Sequence, residues 1–211
     1  MPGTRIALDV MGGDRAPEAI LDGALSAASE TGTVRIAPER LLLVGDEGRI
    51  RALLEDRGGN PGFAIQNASQ VIEMGDAPGQ ALRQKPDSSI AVCVGAVKAG
   101  EAGALVSMGN TGAVVGASTL MLKTLSGVKR PGIAVSMSLA GRPLTCLDMG
   151  ANIATKPQHL QQYAVMGSIY ARDCLGVRQA RVGLLNIGEE ASKGTGLLKE
   201  AYALLSTCLL Y

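Results

Sequence analysis

Aromatic side chains make up only 2% of the 211 residues, with one Phe, four Tyr and no Trp. Base-stacking platforms and the aromatic belts of membrane proteins are therefore poorly supplied. Excess charge is also lacking: 20 Lys and Arg face 19 Asp and Glu, a formal net charge of +1. A general nucleic-acid binder needs a basic face, and this balance argues against one. His159 is the only histidine, which excludes a His-rich metal site and argues against zinc. The four cysteines, Cys93, Cys146, Cys174 and Cys208, form no C-x-x-C pair. Asp9 interrupts any apolar signal-peptide core near the N-terminus. A reducing cytoplasm is the expected compartment, with the thiols as packing residues.

What is present is apolar and rich in glycine. Hydrophobic residues account for 46% of the chain and charged residues for 18%, which excludes a disordered chain. At roughly 150 residues per domain the length predicts one domain or two. A chain of this size buries on the order of 70% of its unfolded surface, so it needs no staples. Glycine occurs 28 times, a hint of backbone brought close to a ligand. The span from Ala102 to Leu122 carries no charge and is long enough to cross a bilayer. However, Gly103, Ser107, Gly109, Asn110, Thr111, Gly112 and Gly116 fall within it. They split it into a β-like run and a helix-like run.

The pattern alternates strands and helices. Apolar runs at 5–10, 41–45, 64–66, 104–107, 133–137, 144–148 and 181–186 read as strands. Helical spacing follows Pro17, runs through Ile50, Leu53 and Leu54, and continues after Ser88 to Ala99. Further helices are expected at 111–125, after Pro157, and toward Leu205. The stretch 73–86 reads as polar, turn-rich surface. The strands are continuous apolar runs, as when both faces are covered. The fold class is therefore α/β, with a largely parallel sheet flanked by helices. We expect one domain over 1–205, or two lobes sharing one sheet.

Open α/β sheets bind ligands beyond the carboxyl ends of their strands. Four small-residue loops follow predicted strands: Gly12-Gly13-Asp14, Gly109-Asn110-Thr111-Gly112, Gly150-Ala151-Asn152, and Asn186 to Glu190. In a parallel sheet all four open on one edge. Gly109–Gly112 is the best anion site, because glycines admit a ligand to the backbone and a helix begins at once. Thr111 could cap that helix or contact the anion. Asp14 reads equally as the N-cap of the Pro17 helix. Asp148, ending a strand before Asn152, reads as a turn former or as an orienting acid. Arg83, Lys85, Lys156 and Lys193 are phosphate partners or plain solvated charges. Glu189 and Glu190, being adjacent, make no carboxylate dyad. Neither a Walker loop nor a G-x-G-x-x-G fingerprint is present, and a serine elbow is missing. His159 reads as a surface or packing residue. Cys93 and Cys174 lie on predicted helix faces and Cys146 in a strand, so no thiol stands out as a nucleophile. Catalysis without an enzyme nucleophile fits best, with a bound anion attacking.

Several segments together resemble one family. They are 9–17 (DVMGGDRAP), 71–78 (VIEMGDAP), 83–89 (RQKPDSS), 109–113 (GNTGA), 147–152 (LDMGAN), 159–170 (HLQQYAVMGSIY) and 182–190 (VGLLNIGEE). Their collinear order is similar to that of the phosphate acyltransferases of bacterial phospholipid synthesis, the PlsX family. The resemblance covers residues 4 to 205. It implies an isopropylmalate-dehydrogenase or phosphotransacetylase-like fold, a cytoplasmic homodimer, and no metal or organic cofactor. The implied reaction joins phosphate to the acyl group of an acyl–acyl-carrier-protein. The acyl phosphate then feeds a membrane glycerol-3-phosphate acyltransferase.

Carried onto this chain, the resemblance assigns Asp148, Asn152 and Lys193 to catalysis. Gly12, Gly13, Asp14, Gly109, Asn110, Thr111, Gly112 and Glu189 fall to phosphate or substrate. Arg83 and Lys85 fall to the acidic carrier protein. The chain departs from the family at Arg15, where a His is usual. It departs again at Gly194-Thr195-Gly196, where the family continues Gly-Asn-Glu. Members of the family are also roughly half again as long. We therefore expect an incomplete fold with an aberrant tail over 206–211. The membrane-associating segment that places the family at the inner membrane face would be missing. Other readings are a remnant that only binds the carrier protein or pairs with a full-length copy, and transfer between acetyl-coenzyme A and phosphate. A nicotinamide dehydrogenase is the fold-level decoy.

Overall fold

The computed structural model describes residues 5–29, 35–150, 152, 154–188 and 193–207. It divides into two compact units, Met1–Lys123 and Thr124–Tyr211. The first unit is built on a four-stranded sheet. Its strands are β1 (Arg5–Asp9), β2 (Leu41–Gly45), β3 (Ala64–Asn67) and β4 (Ala102–Val106), in the order β3-β2-β1-β4. All three pairings are parallel, with Ile6 opposite Leu41 and Ala104. The helices are α1 (Glu18–Ala28), α2 (Glu47–Glu55), α3 (Pro78–Gln84), α4 (Ser89–Ala99) and α5 (Thr111–Met121).

Strand β2 shows why the run Leu41-Leu-Leu-Val cannot alternate with polar residues. Leu41 and Leu43 enter one core cluster, with Leu21 and Ala24 of α1 and Ile50 and Leu54 of α2. Leu42 and Val44 enter another on the opposite face, with Cys93 and Ala96 of α4. A strand covered on both faces must be apolar throughout. Helix α4 is apolar nearly all round for the same reason. Its Ile90 and Val94 pack on Ala81 of α3 and on Ala113 and Ala117 of α5. Ser88 caps α4 by accepting the Ala91 N–H, and Gly100 ends it in the left-handed conformation. Helix α5 stops at Met121, four residues before the expected end. Ala102–Leu122 thus divides into β4 and α5. No helix among the described residues is long and apolar enough to cross a membrane.

Two sequence expectations are amended in the first unit. Residues 73–86 are mostly exposed, as expected, but they also contain α3, which is short, opens at Pro78 and fully buries only Ala81. That leaves too little apolar periodicity to be read in advance. Asp14 does not cap α1; Pro17 occupies the N-cap and no side chain caps there.

The second unit contains β5 (Ala134–Leu139), β6 (Arg142–Leu147), α6 (Pro157–Asp173) and α7 (Gly196–Ser206). Strands β5 and β6 form an antiparallel hairpin and not part of a parallel sheet. Ala140 (φ +49°) and Gly141 (φ +77°) turn the chain in two residues. A two-residue loop joins only antiparallel neighbours. The strand expected at 181–186 does not form. These residues are irregular and unpaired, with Leu185 82% and Ile187 86% exposed. An apolar run becomes a strand only where another strand supplies its hydrogen bonds, and none does here among the described residues. An apolar cavity of about 480 Å³ lies between this segment, β6, α6 and α7, lined among others by Leu147, Leu160, Leu184 and Leu198.

Candidate functional site

The loops after β1 and β4 meet at the carboxyl edge of the parallel sheet. Their junction is built on Asp9, a fully buried carboxylate. Asp9 Oδ2 accepts the Ser107 hydroxyl at 2.6 Å, and Oδ1 accepts the Met11 N–H at 3.2 Å. Ser107 Oγ in turn accepts the Gly109 N–H at 3.0 Å. Gly12 must lack a side chain here: a Cβ would strike Asp9 Oδ2 and lie 2.9 Å from the Gly109 nitrogen. Gly13 takes φ +112° against Met108, and Asp14 stands exposed at the rim.

Asn110, not Thr111, caps α5. Its side-chain oxygen accepts the Ala113 N–H at 3.0 Å. Its amide nitrogen lies 3.1, 3.2 and 3.0 Å from the carbonyls of Glu73, Met74 and Asp76. One buried side chain thus fixes both the helix start and the neighbouring 73–76 segment. Lys85 secures the same segment, donating to the Val71 carbonyl at 2.8 Å and to Asp76 Oδ2 at 2.6 Å. That bond, with the Glu73 N–H second, holds the Asp76 carboxyl below its usual range. Gly112 lets α3 approach, since a Cβ there would sit 2.5 Å from Pro78 Cγ. The first N–H groups of α5, at Thr111 and Gly112, have no partner within the helix and belong to its positive end. Arg83 is exposed on α3.

In the second unit Asp148 follows β6 in the left-handed region, at φ +68°. Such a backbone is uncommon outside glycine and is held by its surroundings. Asp148 Oδ1 accepts the Asn152 amide at 2.8 Å, and Oδ2 accepts the Thr155 hydroxyl at 2.6 Å. The Asn152 amide also lies 3.0 Å from the Tyr163 hydroxyl and 3.1 Å from the Pro131 carbonyl. Its oxygen faces Arg130 Nη1 at 3.3 Å. Burial, and then the charge of Asp148, push the Tyr163 hydroxyl up, with Arg130 opposing.

His159 is buried in the first turn of α6, and its Nδ1 accepts the Lys156 N–H at 3.2 Å. Burial holds its pKa below the ordinary value; Arg130, Lys156 and Lys129 add to this, and Asp148 opposes it. A depressed histidine binds its proton more weakly folded than unfolded, so stability rises with pH through that range. Unfolding of the protein should become easier as pH falls from about 7 to about 5. His159→Gln should flatten that part of the urea-denaturation profile; an unchanged slope would contradict the assignment.

Lys193 is exposed, one residue before Gly194. Glu189 lies outside the described residues, as does Ala151. The four loops do not share one sheet edge. Those after β1 and β4 do, whereas Asp148–Asn152 follows an antiparallel strand and Asn186 follows an unpaired segment. Among the described residues no thiol stands out as a nucleophile, and Cys208 lies outside them. Burial, reinforced by Asp9, pushes the Cys93 thiol far up. Cys146 is half-buried rather than buried, and Cys174 is exposed at the end of α6. Sequence reasoning did not assign Asp9, Ser107, Arg130, Thr155 or Tyr163. An acidic residue closing a largely apolar strand was the available signal at Asp9, because a polar group is buried there only when hydrogen-bonded.

The first unit defines a class: a parallel, doubly covered α/β protein with small-residue loops at the carboxyl ends of neighbouring strands. More specifically, the chain belongs to the family described as fatty acid synthesis protein, whose model matches residues 4–211. It is 47% identical over 198 residues to a phosphate acyltransferase of Magnetococcus marinus, a match over 93% of this chain and 55% of that protein. It is 44% identical over 207 residues to a phosphate acyltransferase of Synechococcus elongatus, covering 97% and 58%. The chain thus spans a little over half the length of these curated relatives. In fold it is similar to the phosphotransacetylase EutD from Staphylococcus aureus, with a TM-score of 0.64 and 18% identity over 97% of this chain and 64% of that one.

Proposed function

We propose that this chain carries the phosphate-binding part of a phosphate acyltransferase of phospholipid synthesis, using an acyl–acyl-carrier-protein as donor. The single supporting observation is 41–47% identity, over nearly its whole length, to relatives bearing that name. In the reaction an oxygen of inorganic phosphate bonds to the thioester carbonyl carbon. The carbon–sulfur bond breaks, and the carrier thiolate takes up the proton that the phosphate gives up. The open N–H groups of Thr111 and Gly112, with Gly12, Gly13 and Asp14, take the phosphate. Asp148 and Asn152 carry the orienting role, with the Asn152 amide holding the Asp148 carboxylate in place. Lys193 and Glu189 supply further charge. The acidic carrier protein meets the exposed Arg83, because the Lys85 ammonium is already bonded to Val71 and Asp76. The active assembly is a cytoplasmic homodimer that works beside the membrane enzyme consuming the acyl phosphate.

The test is free-thiol release from acyl–acyl-carrier-protein with and without inorganic phosphate. Phosphate-dependent release is expected, with acyl-coenzyme A a poorer donor. Carrier binding without phosphate-dependent release would leave a binding module in place of the enzyme.

A further inference from the structure

The geometry points to Asp9 and Ser107 as positioning residues that set which backbone N–H groups remain open to phosphate. The inference rests on the reading of the Gly12–Asp14 and Gly109–Gly112 loops as the phosphate site. Asp9 packs against Gly12 and acts on the corner ahead of α5 through Ser107. Its carboxylate consumes the Met11 N–H and the Ser107 hydroxyl, and the Ser107 oxygen consumes the Gly109 N–H. The Asn110 side chain consumes the Ala113 N–H on the far side. The donors left between these tied points include those of Thr111 and Gly112, at the start of α5. The same carboxylate locks the β1 loop against the β4 loop, since Gly12 packs on both Asp9 and Gly109.

A buried carboxylate in this place has a chemical consequence. Its two oxygens accept from one donor in the loop after its own strand and one just beyond β4. It therefore ties the two loops together through donors that are then closed to an anion. Without the link through Ser107, the Gly109 N–H is released and the loop ahead of α5 loses its anchor. Phosphate affinity should then fall even though the helix itself persists, because Asn110 still caps it.

The experiment titrates inorganic phosphate into the wild-type protein and into Ser107→Ala, Ser107→Thr and Asp9→Asn, by calorimetry, with thermal unfolding of each recorded. Ser107→Ala should weaken phosphate binding by about tenfold, the effect of losing a hydrogen bond to a charged group. Ser107→Thr keeps the hydroxyl and should restore it. In turnover the loss should fall on KM for phosphate, with kcat at saturating phosphate little changed. If Ser107→Ala does not fold, Asp9→Asn, which preserves volume but not charge, should weaken binding in the same direction. Equal phosphate affinity in the wild type and the folded variants, whatever their melting points, overturns the positioning role alone. Absence of phosphate binding by the wild type overturns the phosphate-site reading and this inference together.

Discussion

Asn110→Ala should lower the unfolding free energy by about 2 kcal/mol, combining a lost helix cap with hydrogen bonds lost to part-buried carbonyls. The size follows from the two jobs of one side chain. Its oxygen caps α5, and its amide nitrogen serves the carbonyls of Glu73, Met74 and Asp76. Asn110→Asp separates the jobs. A carboxylate caps at least as well and suits the positive end of the helix. It also faces three carbonyl oxygens with no hydrogen to offer them. Urea denaturation should therefore find Asn110→Asp well below the wild type despite its better cap. An Asp variant as stable as the wild type would show that the 73–76 segment is not held by this amide.

The second large effect concerns turnover. Asn152→Ala should reduce phosphate-dependent thiol release by about 10²-fold, the loss expected when a positioning group is removed and its partner shifts. The Asn152 amide donates to Asp148 at 2.8 Å and its oxygen faces Arg130, so it holds that carboxylate in place. Asp148→Asn should fall in the same range. The substitution tolerates the left-handed backbone at 148 but no longer presents two acceptor oxygens to Asn152 and Thr155. Both variants should retain the wild-type circular dichroism spectrum. Turnover within threefold of wild type in Asn152→Ala would remove this residue from the reaction.

Legibility in the sequence follows the strength of local signals. Leu41–Gly45 and Ser88–Ala99 were readable because a doubly buried strand and a capped apolar helix each have a composition of their own. The Gly109–Gly112 loop was readable as a strand-to-helix corner. Its division of labour was not, because the amide of Asn110 reaches carbonyls 34 to 37 residues away in sequence. Asp9 and Ser107 meet across 98 residues, a pairing no local window contains. The segment 181–186 had the composition of a strand, yet composition supplies no partner. The β5–β6 hairpin hinged on Ala140-Gly141, a weaker turn signal than Asn-Gly. In the resembling segments, the two glycines whose need is clearest, Gly12 and Gly112, are required by close packing against Asp9, Gly109 and Pro78.

Backbone amide exchange measured with and without inorganic phosphate tests the central claim most directly. The loops after β1 and β4 should slow on adding phosphate, with the strongest protection at Thr111 and Gly112 and a smaller effect over Gly12 to Asp14. Amides of α1 and α2 should be unchanged. Protection confined to other parts of the chain, with these two loops exchanging at the same rate in both conditions, would contradict the account.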